Sequence, residues 1–155
     1  MSSGPDAPPP RTLYLLRRLQ VSAYLQMEAA LKPFGATPTQ YMVLSSLAAR
    51  GLSSSAQLSR RFSVRPQSMI KLILGLESAG HVERLARQDD RRVLEISLTR
   101  KGRGMLARCD TVVDDLEKHM LDALSEQELA SFRSVIFKLL DRTGGEASAA
   151  LDKPV

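Results

Sequence analysis

The sequence is short of the residues that anchor catalysis and metal binding. It holds one cysteine, Cys109, which excludes both an internal disulfide and a thiolate zinc cluster. Cys109 falls between Met105 and Val112 in an apolar stripe, where a thiol packs as a small inert hydrophobe rather than a redox sensor. Only two histidines occur, His81 and His119, and neither has a second histidine or a cysteine at metal-ligand spacing, so no metal is expected. His119 stands four residues after Asp115, a helical spacing that suits a surface contact between them. There is no glycine-rich phosphate loop, zinc-protease helix or nucleophile elbow. The adjacent acids Asp114 and Asp115 cannot face each other across a substrate from one helix. An enzyme and a bound cofactor are therefore not expected. No apolar run approaches the ~18 residues of a membrane span, and the N-terminus lacks the apolar core of a signal peptide. The expected setting is cytoplasmic and reducing, with no membrane partner.

What is present is ordinary globular composition with its charge unevenly placed. With 155 residues, 43% hydrophobic and 25% charged, the chain is about one domain with a core of its own. The total of 22 Lys+Arg against 17 Asp+Glu, net +5, hints only mildly at a polyanionic partner. By segment the signal sharpens: residues 50–108 hold 13 basic and 5 acidic side chains, whereas residues 109–155 hold 5 and 10. One basic block in an otherwise near-neutral chain suits a phosphate-facing surface.

Both ends read as tails. Residues 1–10 carry Pro5, Pro8, Pro9 and Pro10 without apolar periodicity, and residues 143–155 begin with a glycine pair that stops a helix. The folded unit is expected over 11–142. Leu13, Leu16, Leu19, Ala23, Met27 and Ala30 recur at helical spacing, giving a first helix over 11–31 that Pro33 and Gly35 end. Thr37-Pro38-Thr39-Gln40 is a capping box opening a second helix, with Tyr41, Leu44, Leu47 and Ala48 facing inward until Gly51. Ser54 and Gln57 repeat that logic for a short third helix with Leu58 and Phe62 toward the core. A fourth helix starts at Pro66, buries Met69, Leu72, Ile73 and Leu76, and stops at a left-handed Gly80.

The period then changes. Val82–Leu85 and Val93–Leu98 are short and β-branched, and Leu94, Ile96 and Leu98 alternate with Glu95 and Ser97, the pattern of a half-buried antiparallel pair. Residues 86–92, ARQDDRR, are too polar to pack and should project as a loop. Helical spacing resumes from about Lys101 to Leu124 through Met105, Cys109, Val112, Val113, Leu116 and Met120. Ser125 with Glu128 caps a last helix bearing Leu129, Phe132, Val135, Ile136, Leu139 and Leu140.

A helix running through Gly80 into a hairpin with arginines at its tip is the layout of a winged helix-turn-helix, whose ligand is double-stranded DNA. The fold class expected is mainly α with a small β-hairpin wing (α+β). A DNA-reading core spans 36–100, and helices over 11–31 and 101–142 carry more apolar surface than that core covers, as if to pack against a second copy.

The order and motifs resemble the MarR family of bacterial transcriptional regulators. The resemblance is carried by TPTQYMVLSSL in the second helix, VRPQSMIKLILGLESAGHVER, the wing DDRRVLEISLT and the following RKG. Its most specific part is the Asp90-x-Arg92 of the wing followed at fixed spacing by Leu98-Thr99. Two positions depart from the family pattern: Arg65 replaces a Ser or Thr cap, losing a side-chain cap and offering a phosphate contact, and Ser53 replaces an aliphatic residue.

On the fourth helix Gln67, Ser68 and Lys71 lie opposite the apolar face, near the N-terminal end with Arg65 and Pro66. Gln pairs with adenine and Lys with guanine in the major groove, and Ser68 suits base or phosphate. In the wing, Arg91 and Arg92 sit beside Asp89 and Asp90, and an arginine at a hairpin tip suits a narrow, negative minor groove. The resemblance implies that Arg92 enters the groove while Asp90 braces the wing through an ion pair. Arg60, Arg61, Arg65 and Arg87, with the Ser54 hydroxyl, are the expected phosphate contacts.

The resemblance further implies a homodimeric repressor that is released from a pseudo-palindromic operator by a small aromatic, anionic effector bound between the dimerisation helices and the DNA-reading core. Tyr14, Arg17, Arg18 and Tyr24 on the first helix offer the aromatic surface and cations for it, or else pack in the dimer. The alternative is a winged-helix architectural or protein-interaction module without sequence readout, which would present apolar or aromatic anchors on the outward face of the fourth helix.

Overall fold

The computed structural model describes residues 9–142, so the tails expected at 1–10 and 143–155 lie, but for Pro9 and Pro10, outside the described residues. Six α-helices surround a three-stranded antiparallel sheet: α1 Thr12–Leu31, α2 Pro38–Arg50, β1 Ser53–Ser54, α3 Ser55–Arg61, α4 Pro66–Ser78, β2 Val82–Ala86, β3 Leu94–Leu98, α5 Arg100–Leu121 and α6 Glu126–Arg142. The sheet order is β1-β3-β2.

Four of the helix starts, those of α2, α3, α5 and α6, carry side-chain caps. In α2 the Thr37 amide donates to Gln40 Oε1 at 2.9 Å while Thr37 Oγ1 accepts from the Gln40 amide. The same reciprocal pair joins Ser54 to Gln57 ahead of α3 and Ser125 to Glu128 ahead of α6, each satisfying amides that the helix leaves without partners. Thr99 caps α5, its Oγ1 accepting from the Gly102 amide at 3.0 Å. Gly35 (φ 68°) and Gly80 (φ 75°) supply the left-handed residues that turn the chain after α1 and α4.

The core is one cluster in which Leu31, Val43, Leu44, Leu58, Met69, Ile96 and Cys109 are essentially inaccessible. Four expectations change. In α2 it is Val43, not Ala48, that joins Leu44 and Leu47 inside, because Ala48 lies past the last core contact, one turn from the helix end. Helix α5 stops at Leu121, leaving Leu124 in the turn to α6. His119 Nδ1 faces Asp122 Oδ2 at 3.7 Å rather than Asp115, an exposed contact of little weight. Leu94 is exposed, since only the base of the hairpin, at Val82, Ile96 and Leu98, rests on the core.

Two helices have little of their own chain to cover them. Nearly all of α1 is exposed, Leu13, Leu16 and Leu19 included, and α6 buries no residue although Val135, Phe137 and Leu139 are large and apolar. Arg133 to Glu117 at 2.8 Å ties α6 to α5.

Candidate nucleic-acid interface

The turn between α3 and α4 fixes the pose of α4. Ser59 is buried, and its hydroxyl donates to the Val64 carbonyl at 2.6 Å while the Val64 amide donates back to the Ser59 carbonyl at 3.0 Å. Ser63 between them takes φ 51°, a left-handed conformation costly for a residue with a Cβ. Arg65 is the N-cap of α4 and makes no side-chain capping bond, and Pro66 follows at the first helical position. Met69, Ile73 and Leu76 hold α4 to the core, which leaves Gln67, Ser68 and Lys71 together on the exposed side.

No Asp or Glu occurs between Glu28 and Glu77, so α2, α3 and all but the last turn of α4 carry no carboxylate. The Glu77 carboxylate is itself taken by Arg84, whose Nη2 lies 2.7 Å from Oε2 and whose Nε donates to Oε1 at 3.0 Å. The pair ties the end of α4 to β2.

The wing departs from the ion pair expected between Asp90 and Arg92. Asp90 Oδ1 accepts instead from the Arg92 backbone amide at 3.0 Å, a local turn that an Asp makes two residues ahead. The brace is Arg87, whose Nε and Nη2 grip the Asp89 carboxylate at 2.7 and 2.8 Å, with Glu95 4.0 Å away. The Arg87 contact holds the Asp89 carboxyl below the usual carboxylate range and raises the guanidinium in turn. The side chains of Arg91 and Arg92 remain exposed at the tip with no carboxylate partner among the described residues.

The remaining expected contacts divide. Arg61 donates through Nη1 to Ser46 Oγ at 2.7 Å and braces α3 on α2, while Ser54 Oγ is occupied as a cap. Arg60 is exposed on α3. Tyr14, Arg17, Arg18 and Tyr24 lie on the open face of α1, where the Arg18 guanidinium sits 5.8 Å from the centre of the Tyr14 ring. Among the described residues they border neither of two shallow hollows, of about 690 and 580 Å³, which are lined by α6 residues such as Phe132 and by Leu25, Lys32 and Thr37 respectively.

Sequence reasoning missed the clasp at the far end of α4. Lys101 Nζ donates to the Ala79 carbonyl at 2.7 Å, Thr99 Oγ1 donates to the Gly80 carbonyl at 2.6 Å, and the Thr99 amide donates to the His81 carbonyl at 3.1 Å. Gly102 lies so close that any Cβ there would collide with the His81 carbonyl. Burial, then Lys101 and Arg108, push the His81 imidazole below its ordinary pKa. The motif Leu98-Thr99 with Lys101-Gly102 was the available signal. Ile70 and Leu74, both exposed on α4, were also unplaced by the sequence.

These features have counterparts among known proteins. The MarR family pattern matches residues 36–94. The HTH-type transcriptional repressor Rv2887 of Mycobacterium tuberculosis is 34% identical over 126 residues, covering 81% of this chain and 91% of that protein. Among solved structures, the M. tuberculosis MarR family protein Rv2887 in complex with salicylic acid is 33% identical with a TM-score of 0.68, covering 88% of this chain and 99% of that one. A mutant of E. coli MarR complexed with operator DNA is 25% identical with a TM-score of 0.74, covering 82% and 91%. The chain belongs to the MarR family, DNA-binding transcriptional regulators of winged-helix fold rather than enzymes.

Proposed function

We propose that this chain is a homodimeric repressor that grips a pseudo-palindromic operator with two copies of α4 and its wing, and lets go when a small aromatic anion binds. The observation that carries the reading is electrostatic: a helix-turn-helix segment without a carboxylate between Glu28 and Glu77, beside a wing whose Arg91 and Arg92 have no acidic partner among the described residues. Phosphates draw in such a surface, Gln67, Ser68 and Lys71 meet base edges, and Arg92 enters the adjacent minor groove. Arg60 and Arg65 flank the groove. Arg87 serves by shaping the wing, and Ser54 and Arg61 by holding α3.

Residues 36–100 act as the reading head, and 11–31 with 101–142 as the dimerisation element. The bare apolar faces of α1 and α6 support that division, because a patch of that kind is covered by a partner in a stable protein. A two-fold pair of heads spans half-sites about one helical turn, ~10 bp, apart. A relative has been solved with salicylic acid, and Tyr14, Arg17, Arg18 and Tyr24 on α1 offer aromatic and cationic groups to such a ligand once a second chain closes over them. Coupling then needs only about 1–3 kcal/mol of preference for one head spacing.

The exposed Ile70 and Leu74 favour a second reading, a winged-helix module that docks without sequence readout. Selection of bound fragments from random duplex, followed by affinity measurement with and without salicylate, separates the two. The repressor reading expects a dimer that holds the selected duplex about 10³-fold or more above scrambled duplex at physiological salt. It expects salicylate to weaken that binding. A monomer, or equal affinity for selected and scrambled duplex, overturns it.

A further inference from the structure

A helix with a complete apolar face on one side has no packing use for large aliphatic side chains on the other. α4 seats Met69, Ile73 and Leu76 in the core at 0–4% exposure, yet Ile70 and Leu74 stand 49% and 42% exposed. Being four residues apart, they stack along one line of the helix. That line runs beside the line of Gln67 and Lys71, each aliphatic side chain following one of those polar residues by three. The exposed surface of α4 is thus a patch with an amide and an ammonium along one edge and two hydrocarbon side chains along the other.

The surroundings limit what fits such a patch. Arg65 and Lys71 lie on α4 itself, Arg91 and Arg92 lie on the wing, and no carboxylate of residues 29–76 interrupts them. The complementary surface carries dense negative charge, offers hydrogen-bonding edges, and presents small apolar groups among those edges. In the major groove of duplex DNA, the thymine C5-methyl group is that apolar element.

We propose that Ile70, extended by Leu74 one turn on, is a specificity-determining contact that packs against thymine methyl groups in the major groove beside the edges met by Gln67 and Lys71. The inference rests on the operator-binding reading above and deepens it. It assigns the hydrocarbon strip to base discrimination rather than to a protein partner. It also makes thymine at defined positions of each half-site a requirement that hydrogen bonding alone does not impose.

Deoxyuridine keeps every hydrogen-bonding group of thymine and lacks only the methyl, so it isolates the contact. The probe is the duplex selected from the random pool, with each thymine replaced singly by deoxyuridine. Wild-type protein should lose roughly three- to fivefold in affinity at one or two positions per half-site, the change expected from about one methyl-sized group left unburied. Ile70→Ala should bind thymine and deoxyuridine duplexes alike at those positions, and Ile70→Val should fall between. Wild-type indifference to deoxyuridine at every position, with the selected duplex still preferred over scrambled DNA, overturns the methyl contact and leaves the operator reading standing. Equal binding to selected and scrambled duplex removes both. If deoxyuridine has no effect while Ile70→Ala shifts the oligomeric state, the strip is a protein contact and the inference is overturned.

Discussion

The Tyr41 hydroxyl donates a 2.9 Å hydrogen bond to Asp110 Oδ1, joining α2 to the middle of α5 across 69 residues of sequence. Burial first, then the bond to Asp110 and the nearby charge of Asp114, hold the phenol's proton well beyond its ordinary pKa of 10.0. A group whose pKa is raised by folding contributes stability that is complete below its unfolded pKa and is lost at higher pH. Urea titrations should show flat stability through neutrality and a decline above about pH 10. Tyr41→Phe should cost about 1 kcal/mol at pH 7 and flatten the alkaline decline.

In the wing, Arg92→Ala should weaken operator binding at least tenfold with the melting temperature nearly unchanged, since its side chain holds no carboxylate partner among the described residues. It should also lower the slope of log affinity against log salt by about one unit. Arg87→Ala should behave differently. Its charge is already matched by Asp89, so affinity falls through loss of the wing's shape while the salt slope stays near the wild-type value.

Gly102→Ala and Gly104→Ala form a matched pair on α5. A methyl at 102 meets the His81 carbonyl and should cost more than about 2 kcal/mol in denaturant unfolding, whereas a methyl at 104 meets nothing within 4 Å and should gain up to about 1 kcal/mol of helix stability. A gain at both positions would mean that the end of α4 yields to the added group.

Cys109 is fully buried, and burial pushes its thiol up from its ordinary pKa. Thiol reagents at pH 7 should modify it in denaturant but hardly at all in the native protein, and peroxide should leave DNA binding of wild type and Cys109→Ser alike.

What could be read from the sequence was local. The three capping boxes at Thr37, Ser54 and Ser125 and the left-handed Gly80 depend on residues within four positions of one another, and each appears where it was expected. What escaped depends on distant partners. β1 is two serines whose strand character comes wholly from pairing with Ile96 and Glu95, and Ser53 is buried there although a serine announces no core position. Lys101 reaching back to Ala79, and Tyr41 reaching Asp110, leave no periodic trace. Within the wing one expected pairing did not form: Asp90 accepts from the Arg92 backbone amide, and Asp89 is the acid that Arg87 reaches. The core side of α4 was legible from Met69, Ile73 and Leu76, but Ile70 and Leu74 lie outside that stripe and an aliphatic residue type does not announce an exposed position.

The carbonyls of Ala79, Gly80 and His81 are all held by Thr99 and Lys101, which clasps the end of α4 to the start of α5. The 22 residues of α5 make a rod about 33 Å long, and α4 is bolted to one end of it. Tilting that rod by a few degrees at its opposite end swings α4 through a correspondingly larger arc, so under the operator-binding proposal leverage applied far from DNA would arrive at the groove without any loosening of the clasp itself.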